Sequence, residues 1–99
     1  MILEHAILNV RPGESPAFLV AIAEALPLMT ATPGFIGFEL RRCHENADRF
    51  LLLVRWETIE AHTIGFRGSD RYQQWRQKLH HFYDPFPVVE HYGEPVVTS

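Results

Sequence analysis

The chain has 99 residues, 46% of them hydrophobic and 21% charged, a balance that excludes disorder and leaves room for one core, since two would have below about 50 residues each. Lys and Arg number 9 against 12 Asp and Glu, a formal charge of −3 with no run of like charges, which excludes the basic footprint of a nucleic-acid partner or an anionic membrane surface. A single domain over residues 1–99 is expected.

Cys43 is the only cysteine, so no internal disulfide and no cysteine-rich metal site can form within one chain. The longest apolar run, Ala17 to Ala23, falls well short of the roughly 18 residues of a membrane span, and Glu4 and His5 stand where a signal peptide carries cations. A cytoplasmic protein is expected.

Ile2 to Val10 reads as a strand, with Ile2, Glu4, Ala6, Leu8 and Val10 on one face and Leu3, His5, Ile7 and Asn9 on the other, closed by Pro12-Gly13. Ser15 before Pro16 reads as an N-cap with proline at the first helical position, and Ala17 to Leu26 continues a helix expected to end or kink near Pro27. Pro33-Gly34 then opens a strand from Phe35 to Cys43. The turn Glu45-Asn46-Ala47-Asp48 leads into another from Arg49 to Glu57, so these two pair antiparallel. Thr58 caps a short helix through about Phe66, and Ser69 caps a second from Asp70 to Phe82. Asp84-Pro85-Phe86-Pro87 forms a rigid turn with an apolar anchor, because the prolines remove donors and hold the preceding residues extended. Val88 to Val97 is the last strand.

The order β-α-β-β-α-β predicts a ferredoxin-like α+β fold, a four-stranded antiparallel sheet with helices on one face. The bare face would carry Ile7, Leu51, Leu53 and Val89, and an uncovered apolar face of this kind marks an interface. With a first helix apolar almost all round, this predicts a homodimer with two sheets packed face to face.

The segments PGFIGFELRR (33–42), RFLLLVRWETIEAHTIGF (49–66) and the capped SDRYQQW (69–75) resemble the antibiotic biosynthesis monooxygenase domain, and the resemblance covers nearly the whole chain. The family's proline-glycine entry into strand two, strand-three tryptophan and alanine-bearing helix are met at Pro33-Gly34, Trp56 and Ala61. The resemblance implies a dimeric α+β barrel and the oxidation of quinols, anthrones and related small aromatics by O₂ without metal or flavin. Relatives of the same fold degrade haem, isomerise small metabolites or act in stress responses. The haem-degrading branch carries an Asn on strand one and a Trp and a His after strand three. Those places fall here on Ala6, on Gly65 or Phe66, and on Trp75 or Arg76, so that mechanism is not expected.

Ile59, His62 and Phe66 are spaced i, i+3, i+7, which sets an imidazole on an apolar stripe. His62 is the candidate catalytic base, held neutral near pH 7 by partial burial. The other reading is a core-edge histidine bonded to a backbone carbonyl. Trp56 on strand three, and Tyr72 with Trp75 on one stripe of the following helix, can clamp a flat ring or simply fill a core. Phe38, Phe66 and His5 complete the candidate substrate contacts. Glu4 and His5 interrupt opposite faces of strand one, so only one of them can face the helices. His80-His81 do not form the i, i+4 pair of a helical zinc site and are expected in solvent at a helix end. His91 is expected to be interfacial or exposed. With one cysteine, no helical His pair, no spacing that suggests a metal site from His5, His62 and His91, and no glycine-rich dinucleotide fingerprint, no metal or cofactor is expected. The alternative to an enzyme is a non-catalytic, dimeric small-molecule-binding or stress-response module.

Overall fold

The computed structural model describes residues 1–99 and pairs four strands antiparallel, β1 (Ile2–Asn9), β2 (Phe35–Arg42), β3 (Arg49–Trp56) and β4 (Val89–Tyr92), in the order β2-β3-β1-β4. Two helices, α1 (Ser15–Thr30) and α2 (Asp70–Leu79), cover one face, with a π-helix (Ala61–Phe66) before α2 and a 3₁₀ turn (His80–Phe82) after it. This is the ferredoxin-like α+β arrangement expected from the order of elements. No helix is long and apolar enough to cross a membrane.

Cross-strand register decides which residues meet the helices. The pairs Glu4↔Val54, Ala6↔Leu52 and Leu8↔Phe50 lie on the helix side, where all six side chains are buried. Leu3↔Arg55, His5↔Leu53 and Ile7↔Leu51 lie on the other side. Strand β2 adds Phe38 and Leu40 to the core side, while Glu39 on the outer side bonds both Arg41 (2.6 Å) and Arg55 (2.9 Å). Val89, expected on the outer face, pairs with Ala6 and packs against the core. Ile7, Leu51 and Leu53 keep their expected side.

Helix α1 buries Ser15, Phe18, Ile22, Ala25 and Met29, the three-and-four spacing of one inward stripe. Two expectations about it are corrected. Ser15 is the first helical residue and Glu14 the cap; the Ser15 hydroxyl instead donates to Asp48 Oδ1 at 2.6 Å, pinning the helix start to the β2–β3 turn. Nor does the helix stop at Pro27. It runs to Thr30 because Pro27 and Ala23 both lie on the exposed side, where water can take the carbonyl that the missing proline N–H leaves free.

The expected last strand, Val88 to Val97, shrinks to Val89–Tyr92. Tyr92 already pairs with Leu3 near the start of β1, so a longer β4 would have no partner, and Val96 and Val97 stay exposed. The expected helix to Phe82 is α-helical only to Leu79 and tightens into the 3₁₀ turn. Its cap is as expected, the Ser69 side chain accepting from Tyr72 N–H.

Gly34 has a φ of +89°, and a Cβ there would stand 2.7 Å from Ala61 Cβ. The Pro33-Gly34 entry and Ala61 are thus one close approach, reinforced by Glu57 N–H donating to Gly34 O at 2.8 Å. Gly34→Ala is expected to cost about 2–4 kcal/mol, combining left-handed backbone strain with overpacking. Adding Ala61→Gly should recover the overpacking part and leave the strain. Urea unfolding of both variants checks this; a Gly34→Ala protein as stable as the parent would refute it.

Candidate active site

Between the helix side of the sheet and α2 lies a cavity of about 360 Å³. The floor comes from β1 and β4 (Glu4, Ala6, Leu8, Val89), one wall from the π-helix and the residue after it (His62, Phe66, then Arg67), and the other from α2 and the segment after it (Tyr72, Trp75, His80, Tyr83, Phe86). Phe66 sits edge-on to Tyr72 and Trp75 at centroid distances of 5.5 and 5.7 Å. These walls suit a flat, apolar ligand.

The local chain path that places His62 is unusual. Thr58 Oγ1 accepts from Ala61 N–H at 3.1 Å, as its capping role requires, but the next turn is wider than an α-helix. His62 O accepts from Arg67 N–H five residues on, at 3.0 Å. Widening the turn keeps His62 and Phe66 inward, both buried, and leaves Ile59 exposed. The expected three-residue stripe is therefore two residues deep. Such π turns occur often at functional sites.

His62 is the centre of a buried polar chain. Its ring stacks on Trp56 at 5.2 Å between centroids and 17° between planes. Trp56 Nε1–H donates to Glu4 Oε1 at 3.0 Å, and the same oxygen lies 3.4 Å from His62 Nε2. On the other side, His62 Nδ1 and His91 Nε2 share a hydrogen bond of 2.8 Å. Glu4 Oε2 and His62 Nε2 make no hydrogen bond within the protein. Glu4 and His62 both line the cavity, and the fully buried polar atoms without a partner lie elsewhere, at His5 Nδ1 and Arg71 Nε.

Burial governs the protonation of this chain. It raises the Glu4 pKa against the opposing pull of the Trp56 hydrogen bond and the Arg67 charge. Burial, then Arg67 and His91, lower the His62 pKa to about 3. His91 is lowered by burial and Arg67, His80 by burial and Arg76, and burial raises Tyr83. The Glu4–His62 separation would suit an ion pair, yet a ring so resistant to protonation is neutral at pH 7. The contact is that of a carboxyl group beside a neutral imidazole.

Of the residues singled out in the sequence, His62, Phe66, Tyr72 and Trp75 come together on the cavity. Trp56 stands behind His62 and holds Glu4 in place. Phe38 lies two strands away on β2, across from Val54 in the core. His5 points to the opposite face of the sheet, paired with Leu53 and Glu90. The β1 position facing the helices belongs to Glu4, and His5 is removed from this cavity. Sequence reading missed three groups. His91, expected at an interface or in solvent, is opposite Glu4 in the β1–β4 register. His80, expected in solvent, is half-buried and lines the cavity because the chain tightens after Leu79. Glu4 was visible only as an interruption of an apolar face.

The family profile described as antibiotic biosynthesis monooxygenase matches residues 1–78. The uncharacterized protein YczJ of Bacillus subtilis (strain 168) is 46% identical over 94 residues, which is 95% of this chain and 99% of that protein. Among solved structures, a Bordetella bronchiseptica protein assigned to the antibiotic biosynthesis monooxygenases superposes with a TM-score of 0.90 at 34% identity, covering 96% of this chain and 97% of that one. SnoaB of Streptomyces nogalater, a cofactor-independent oxygenase solved as a point variant, has a TM-score of 0.83 at 11% identity over 97% of this chain and 94% of its own. At that identity SnoaB shows the shared fold alone.

Proposed function

The chain belongs to the antibiotic biosynthesis monooxygenase family, and from that membership we propose that residues 1–99 act as a single cytoplasmic domain that oxidises a small electron-rich aromatic, of the quinol or anthrone kind, with O₂ and no cofactor. The observation that carries this reading is the neutral imidazole of His62 on the lining of an aromatic-walled cavity of about 360 Å³. Such a volume is at the small end for ligand pockets. A base there can take the ligand's phenolic proton and leave an anion able to give electrons to O₂. Phe66, Tyr72 and Trp75 would hold the ring and exclude water. The cofactor-independent oxygenase activity named for SnoaB supports the same reading by analogy of fold.

The test is O₂ consumption by the purified protein, treated with chelator, against 1,4-dihydroxynaphthalene and a panel of anthrones. Uptake above spontaneous oxidation, unchanged by added flavin or metal, is expected. Saturable binding with no uptake would favour the non-catalytic binding module, which the weak basicity of His62 also suits. Product formed without O₂ would indicate an isomerase on the same scaffold.

We also propose a homodimer closed through the outer sheet face, where Ile7 is exposed and Leu51 and Leu53 are half-buried in the lone chain. Its interface should exceed about 1,000 Å². Sedimentation should show a dimer at micromolar concentration, and Leu53→Arg should make it a monomer; a parent protein that is already monomeric at that concentration would end this part of the proposal.

A further inference from the structure

The reading above uses one ring nitrogen of His62 and leaves the 2.8 Å hydrogen bond from the other, Nδ1, to His91 Nε2 without a role. That bond admits two proton arrangements. In one, His62 Nε2 bears the proton and Nδ1 accepts from His91. In the other, Nδ1–H donates to His91 Nε2 and the His62 Nε2 lone pair is free, 3.4 Å from Glu4 Oε1. Both keep the two rings neutral, and they differ by one proton on each ring, His62 and His91 changing tautomer together.

We propose that His62 and His91 form a proton-shuttling pair, in which a proton taken from the ligand at His62 Nε2 is matched by passage of the Nδ1 proton to His91 Nε2. This rests on the proposed aromatic ligand. In the step, the ligand O–H bond breaks as His62 Nε2–H forms, and His62 Nδ1–H breaks as His91 Nε2–H forms. The ligand is left as an anion and His91 as an imidazolium, which returns to neutrality by losing its Nδ1 proton to water.

The placement of the two rings supports this direction. His62 is 3% exposed, so a second proton lodged on it would put an imidazolium beside Arg67 with almost no solvent. His91 is less deeply buried and sits on the edge strand β4, last in the sheet order. Charge is therefore less costly on His91 than on His62. The other charged or titratable groups around the pair are Glu4 from β1, Arg67 at the end of the π-helix, Tyr72 from α2, His80 from the 3₁₀ turn, and Tyr83. Glu4 lies near His62 Nε2 and opposite His91 in register, where a carboxylate would stabilise a cation on either ring. The lowered proton affinity of His62 agrees with a group that passes a proton on rather than storing it.

The experiment uses 4-nitrophenol, whose ionisation is read by absorbance and which O₂ leaves intact. Bound to the parent protein, it should ionise at lower pH than in solution. His91→Gln keeps a hydrogen-bond donor for His62 but accepts no proton, and should lower the ionised-to-neutral ratio of the bound probe about tenfold with little change in affinity. In His91→Ala, added imidazole should restore the ionisation. A ¹⁵N–¹⁵N coupling between His62 and His91 in the ligand-free protein should report the shared proton. A His91→Gln protein that ionises the probe like the parent overturns the pair, as does a parent protein that leaves the probe neutral or does not bind it. Loss of quinol-dependent O₂ uptake with the nitrophenol result intact would reject the oxygenase reading alone. O₂ uptake unchanged in His91→Gln would reject the pair alone.

Discussion

His62→Ala is expected to lower quinol-dependent O₂ uptake by about 10²–10⁴, the usual contribution of a positioned acid or base. The imidazole is the group on the aromatic cavity whose free nitrogen, Nε2, is neutral at working pH. Its removal also takes away a ring stacked on Trp56 and the partner of His91, so some loss of stability accompanies it. Rates must therefore be expressed per folded molecule, with unfolding measured alongside. The pH profile separates chemistry from packing. A base must be neutral to accept a proton, and His62 and His91 are both held below the ordinary histidine value of 6.5. The parent rate should be flat from mildly alkaline to neutral pH and fall only on acidification below that value. His62→Ala should lack this fall. A well-folded His62→Ala protein with the parent's rate and profile would make His62 a packing residue and favour the binding module.

The strands and caps were legible because their signals are local. Alternation marked β1 and β3, Pro33-Gly34 marked the entry to β2, and Ser69 marked the start of α2 through its own side chain. What depends on a distant partner was not legible. The end of β4 is set by where β1 begins, and the survival of α1 past Pro27 depends on which side of the helix meets water. Strand β1 carries apolar residues on both faces, so alternation alone could not choose between Glu4 and His5. Only pairing with β3 and β4 turns Glu4 toward the helices.

The same limit divides the site. His62, Phe66, Tyr72 and Trp75 follow from helical spacing and come together on the cavity. Glu4 and His91 join them only through the β1–β4 register, although they stand 87 positions apart in the sequence (91 − 4 = 87). The widening of the π-helix has no marker in the sequence that we can name. It nonetheless decides that His62 points inward while Ile59 does not.

Acidification is expected to remove on the order of 4–5 kcal/mol of folding stability through His62 alone. Its pKa is about 3 in the folded protein against 6.5 for the unconstrained side chain. Between those values the unfolded chain binds a proton that the folded chain refuses, so stability rises with pH across the window and is lost as pH falls through it. His80 and His91, also lowered, act in the same direction. Glu4 opposes them, because its raised pKa makes the folded state favour the proton and gives back stability as pH falls toward 4.5. Against a total of about 5–15 kcal/mol for a domain, a loss of this order is a large share, so the parent should resist urea markedly less at pH 3–4 than at pH 7. His62→Gln removes the titration while keeping a polar side chain, so its stability should depend on pH much less steeply over this range. Urea unfolding of parent and His62→Gln at several pH values from 7 to 3 reads the difference as a change of slope, which is independent of any constant cost of the substitution. Parallel curves would show that the folded protein accepts a proton at His62 as readily as the unfolded chain does. Glu4→Gln supplies the opposite check, since removing the compensating carboxyl should make the acid-side loss steeper than in the parent.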